Sequence, residues 1–204
     1  MSSSRHLTRQ ILASLGLLGA AASVAGLTTY ATFTDSDSAS QSISSGTVDI
    51  ALGTAGSPDN RLTIATTGIH PGDTMQRAVK ISNTSSTTMG SITLTTSATT
   101  SSPLDSDPTN GLQMVIDKCP TAWTESGSSP AFTYTCSGTP SAVVATRAII
   151  GSNLTLTGVG LTPGSADYLR VTLTLPTSAD NTFQGKTSVI QYSFTGTQRA
   201  AQAA

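Results

Sequence analysis

The chain has 204 residues, 37% of them hydrophobic but only 4% aromatic and 10% charged, with a formal net charge of −1. That balance is too apolar for a disordered polyelectrolyte and too poor in leucine, glutamate and lysine for a helical bundle. No basic stripe is present to hold nucleic acid, and short Thr- and Val-rich runs punctuated by Gly and Pro favour one all-β domain.

The first element in chain order reads as an export signal. Arg5 and Arg9 precede an apolar run from Ile11 to Leu27, interrupted by Gly16, Gly19 and Gly26. Thr29-Tyr30-Ala31 places small residues at the two positions a signal peptidase reads, so cleavage is expected between Ala31 and Thr32. Ser23-Val24-Ala25 is a second candidate, inside the apolar run. Left uncut, the run would be the chain's one route to a membrane, and it is marginal in length for a span. Removing residues 1–31 takes away Arg5 and Arg9 and moves the net charge from −1 to −3.

The segment Thr32–Ser45 that follows is polar and carries Phe33 and Ile43 as its apolar residues. It reads as a linker or as a strand awaiting a partner. Strand-like alternation then begins. Val48, Ile50 and Leu52 share a face, as do Leu62 with Ile64, Val79 with Ile81, and Ile92 with Leu94. Thr99–Gly111 reads as a loop, followed by a strand bearing Leu112, Met114 and Ile116. Thr124–Pro130 reads as another loop. Phe132, Tyr134 and Cys136 alternate across from the Met114 strand, which brings Cys136 towards Cys119. Two cysteines in an exported chain most simply form one disulfide, and closing a loop of this size contributes about 3 kcal/mol. Ala142–Ile150 fits a strand or a short helix. Leu169, Val171, Leu173 and Leu175 form the clearest run, with Arg170, Thr172 and Thr174 expected to face water, and Val189–Phe194 closes the fold. Strands of this number and length predict a two-sheet sandwich of the jelly-roll type. Pro71-Gly72 and Pro163-Gly164 read as type II turns at corresponding corners of its two halves.

Candidate chemistry is sparse. His70 is the one histidine beyond the leader, and it has no neighbouring ligand at the spacing of a zinc motif. No nucleophile elbow occurs around any serine. Asp35 with Asp37, and Asp105 with Asp107, are short acidic pairs with fewer oxygen donors than calcium loops bring. Leu175–Ala179 is similar to a sortase signal but has Ser178 and Ala179 where Thr and Gly are required. Asn83 and Asn153 open sequons that a Thr-rich chain produces by chance. No metal, cofactor or catalytic residue is expected. Lys80, Lys118 and Lys186 are the only lysines, so a sheet protein with so little charge either hides its edges or uses them.

Three stretches together resemble the TasA/camelysin (CalY) family. They are the leader running into TYATFTDSDSASQSISSGTVDI, then IHPGDTMQRAVKISNTSS, and LPTSADNTFQGKTSVIQYSFTGTQ with Asn181, Phe183, Gln184, Gly185 and Gln198. The resemblance implies a signal peptide (1–31) cut by a SipW-type signal peptidase, and a donor-strand segment (32–45). A jelly-roll domain (46–198) and a short tail (199–204) would follow. Residues 103–150, with Cys119 and Cys136, have no counterpart in the resemblance and read as an insertion. The implied role is a secreted protein that assembles with itself, head to tail, into biofilm-matrix fibres. The donor segment, with Thr32, Phe33 and Ile43, would pair with the next subunit's sheet, and accessory matrix proteins would be further partners. Two alternatives follow from the same resemblance: a camelysin-like metalloendopeptidase, and a monomeric surface adhesin or accessory protein.

Overall fold

The computed structural model describes residues 49–63, 68–160 and 162–199. Ala31, Thr32, Phe33 and Ile43 lie outside the described residues, as do Val48 and Ile64. The described strands are β1 (Ile50–Leu52), β2 (Thr74–Asn83), β3 (Met89–Thr100), β4 (Gln113–Cys119) and β5 (Thr124–Ser128), then β6 (Ala131–Thr135), β7 (Ser141–Ala148), β8 (Gly151–Thr155), β9 (Ala166–Thr174) and β10 (Val189–Gln198). The larger sheet has the order β1-β2-β9-β4-β7, the smaller β10-β3-β8, and β5 and β6 form a separate hairpin.

All these pairings are antiparallel, and four nest inside one another along the chain: β5 with β6, β4 with β7, β3 with β8, and β2 with β9. A ribbon of nested pairs, rolled until β9 also meets β4, is the connectivity of a jelly roll. The fold is therefore the all-β two-sheet sandwich that the alternation predicts. Its core is built from the inward-facing residues of both sheets. Val79 and Ile81, Met114 and Ile116, and Leu169 and Val171 come from the larger sheet, and Ile92, Leu94 and Phe194 from the smaller. Because side chains alternate along a strand, a one-residue slip would turn each set out to water, and that fixes the register.

The two Pro-Gly turns form as their residue types require. Gly72 has φ 92° and Gly164 φ 72°, and the closing bonds run from Asp73 N to His70 O (2.9 Å) and from Ser165 N to Thr162 O (3.1 Å). They belong to one strand pair and not to separate halves of the sandwich. Each turn leads into β2 or β9 and ties back to the far end of the other strand. Gly72 N donates to Leu175 O (2.8 Å) and Gly164 N to Asn83 O (2.9 Å).

Several local expectations change. Leu62 lies in a turn and not in a strand. Thr124–Ser128 is strand β5 and not loop, and β6 pairs with β5 and not with β4. Within Thr99–Gly111, Pro103–Ser106 forms a helical turn with a capping box between Ser102 and Asp105. Ala142–Ile150 is mostly strand β7, carrying a bulge against β4 that buries the consecutive Val143 and Val144. That broken alternation is why periodicity could not separate strand from helix. The stretch 103–150 supplies β4 and β7, and β4 lies between β9 and β7 with Met114 and Ile116 fully buried.

Candidate functional site

The densest grouping of charged and aromatic side chains lies on the outer face of the larger sheet, under the β5–β6 hairpin. Residues of β2, β4 and β9 that alternate away from the main core meet the hairpin there. Ala78, Cys119, Trp123, Phe132 and Tyr134 form a second buried cluster, with Cys136 and Tyr168 against it. Cys119 and Cys136 are joined by a disulfide with Cα atoms 5.7 Å apart, so the pairing expected from their number is present. It ties the end of β4 to the chain leaving β6.

Charged groups close this cluster on both sides. Arg61 grips Glu125 with two hydrogen bonds, Nε to Oε2 at 2.9 Å and Nη2 to Oε1 at 2.6 Å, and its guanidinium stacks 4.5 Å from the Phe132 ring centre. Tyr134 Oη donates to the same carboxylate at 2.9 Å. The hydrogen bonds from Arg61 hold the Glu125 carboxyl below its ordinary range; burial opposes this and the Tyr134 bond adds to it. Burial, reinforced by the Glu125 bond, pushes the Tyr134 hydroxyl up to about 12. On the other side, Arg170 lies 4.4 Å from the Trp123 ring centre and pairs with Asp117 at 2.8 Å. Arg170 does not face water as its alternation predicted, because the hairpin covers that face. Lys118 pairs with Asp167 at 3.1 Å. Every carboxylate in this grouping has a cation partner. The arrangement is a clasp holding the hairpin to the sheet, with no general base poised over a cleft.

Other candidates are placed as follows. His70 is 80% exposed, its Nδ1 lies 3.4 Å from the Asp73 carboxylate, and its backbone N–H donates to Asp73 Oδ2 (2.7 Å). Asp105 is buried and accepts from Ser101 Oγ (2.7 Å), Ser102 N (2.7 Å) and Ser188 Oγ (2.5 Å), while Asp107 accepts from Thr109 N and Asn110 N, both at 2.9 Å. Both acids thus serve as turn and cap acceptors. Of the sequon residues, Asn83 is buried and Asn153 is exposed. The hairpin clasp escaped sequence reasoning because its partners, Arg61 and Glu125, are 64 residues apart. One signal was available: Glu125 is the chain's single glutamate and precedes the alternating Phe132 and Tyr134.

Among the described residues, no three or more His, Cys, Asp or Glu side chains stand close enough to hold a metal ion. His70 and Asp73 form an exposed pair without a third donor, so the described residues do not fit a catalytic metal, which takes three protein ligands and a water. His6, Asp35 and Asp37 fall outside the described residues. No described helix is long and apolar enough to cross a membrane. No curated protein matches the chain. The family model for camelysin metallo-endopeptidase matches residues 7–203. Nearly the whole sequence is covered, and the chain belongs to the camelysin family.

Proposed function

We propose that this chain is a secreted structural subunit that assembles head to tail into extracellular matrix fibres, with the Thr32–Ser45 segment of one subunit added as a strand to the next. Family membership supports a secreted matrix or surface protein as the general setting. The observation that carries assembly is the lack of charge at the flanks of the sandwich. Across β1, β7, β8 and β10, the outermost strands of the two described sheets, Arg147 is the only charged residue. Sheet proteins that stay apart usually guard such strands with charge, lysine above all. In this chain Arg61, Lys118 and Arg170 are drawn into ion pairs around the hairpin clasp.

A strand added to a sheet gains affinity from main-chain hydrogen bonds and register from alternate side chains. Phe33 and Ile43 are the apolar anchors of the added segment. A contact between one end of a subunit and the body of the next does not close on itself, so it propagates as a filament. Release of Thr32 by a SipW-type signal peptidase, cutting after Ala31, would free the segment outside the cell. Accessory matrix proteins are the further partners in this reading.

The chain is not an enzyme on this account. Purified protein supplied with zinc should leave casein intact, and chelator-sensitive cleavage would contradict the proposal. Deleting Thr32–Ser42, or replacing Phe33→Ala, should block filament growth while circular dichroism still reports a folded sheet. Unchanged filaments from either variant would remove the donor segment from the account.

A further inference from the structure

We infer that the strand receiving the neighbour's N-terminal segment is β10, so that the segment extends the smaller sheet. This inference rests on the fibre reading and names the surface that reading leaves open. The four flanking strands differ in how they are guarded. β1 has only three residues, and past it Asp59, Asn60 and Arg61 line β2, with Lys80 N donating to Asp59 O (2.7 Å) and Arg61 N to Ala78 O (2.9 Å). β7 has two register shifts against β4, and its Arg147 folds onto the carbonyls of Ala148 and Ile150. β8 has five residues, a register shift, and Asn153 at φ 51°. Short length, bulges and charge are the devices that discourage strand addition. β10 is neither short nor charged, and its two register shifts against β3 lie at its ends, between Val189 and Ile190 and between Thr197 and Gln198. It is ten residues long, without charge or proline, and its register with β3 is unbroken from Ile190 to Thr197.

The segment's own pattern matches that strand. Every even-numbered residue from Thr32 to Ser44 is Ser or Thr, while the odd positions hold Phe33, Asp35, Asp37, Ala39, Gln41 and Ile43. In an extended chain these are two faces. The outer face of the smaller sheet is itself a row of hydroxyl pairs: Ser91 with Thr197, Thr93 with Thr195, and Thr95 with Ser193. The opposite face of β10 carries Ile190, Tyr192 and Phe194 against the core. Laid beside β10, the segment continues the hydroxyl face with its even positions and presents Phe33, Ala39 and Ile43 on the core side. Asp35 and Asp37 share that side; the buried Arg77 of β2 also alternates with Val79 and Ile81 towards the core and is already engaged. Fourteen extended residues span roughly 46 Å, against roughly 33 Å for ten, so the segment covers the whole strand.

The described chain begins at this same flank. Gly196 of β10 is bare where Ile50 of β1 approaches, since a Cβ there would lie 2.8 Å from Ile50 Cδ1. Gln191, Ser193 and Thr195 are already engaged within the chain. The neighbour's segment therefore adds to a strand whose side chains already have partners.

The test places the photo-crosslinking residue p-benzoylphenylalanine at position 33 of the processed protein. Filaments are grown from a mixture of isotopically light and heavy subunits, irradiated and digested. The expected mixed-label crosslinks join the segment to peptides of residues 189–198. Filaments whose mixed-label crosslinks fall on β7, β8 or the β1–β2 flank would overturn the assignment of β10 and leave the fibre reading standing. Absence of filaments from the unsubstituted protein would overturn the fibre reading, and this inference with it.

Discussion

Glu125 shows how a single residue can carry a local structure. It receives two hydrogen bonds from Arg61 and one from Tyr134, in a site where its side chain is 15% exposed. Hydrogen bonds to a charged group in such a place contribute about 1.5–3 kcal/mol each before solvent screening reduces them. Glu125→Gln keeps the shape but loses the charge, and is expected to lower unfolding stability by about 1–3 kcal/mol in urea titrations at neutral pH. The pH dependence has a definite sign. Because the folded carboxyl lies below its ordinary value, its contribution is complete above about pH 4.3 and is lost as pH falls through the folded value. Tyr134 works in the opposite sense. Its hydroxyl is pushed up to about 12, so its contribution is complete below about pH 10 and fades as pH rises from there to the folded value. An ultraviolet titration of the folded protein that loses amplitude near pH 12 in Tyr134→Phe would confirm the assignment, and loss of amplitude near pH 10 would contradict it. Contacts of this kind were illegible in the sequence, since an arginine and a glutamate 64 residues apart share no local pattern.

At the scale of elements, legibility followed the physics of alternation. Strands β2, β3, β4 and β9 each bury one face in the main core, so Val79 with Ile81 or Leu169 with Val171 announce them at a period of two. β5 announces nothing, because Thr124–Ser128 has no apolar face of its own and is held by its pairing with β6. The exposure assigned to Arg170 failed for the same reason: alternation tells two faces apart, but not whether a distant hairpin will cover the polar one. The disulfide was legible from cysteine count alone; what it fastens was not. Reducing it, or replacing Cys119→Ser together with Cys136→Ser, is expected to cost about 3 kcal/mol. Trp123 is the single tryptophan, buried in the hairpin cluster with its Nε1 donating to Tyr168 O at 2.9 Å. Reduction should therefore shift its fluorescence to the red at denaturant concentrations where far-ultraviolet circular dichroism still shows the sandwich. Loss of both signals together would mean that the hairpin and the sandwich unfold as one unit.

For the molecule as a whole, the account joins a jelly roll with almost uncharged flanking strands to a polar segment of alternating hydroxyls beyond the described residues. Sequence reasoning reached the fold class because the strands that build most of the core, β2, β3, β4 and β9, carry their own pattern. It reached the assembly proposal through resemblance, and the flank composition now supports that proposal on separate grounds. Nested pairing was the feature it could not supply, since β2 meets β9 and β3 meets β8 across long stretches of chain. Nor could it see that residues 103–150 place an interior strand, β4, in the larger sheet. The most direct measurement is negative-stain electron microscopy of the secreted protein after its N-terminus has been sequenced as Thr32. The account predicts regular unbranched filaments. A field of dispersed particles from correctly processed protein would contradict it, and would leave a monomeric surface or accessory protein in its place.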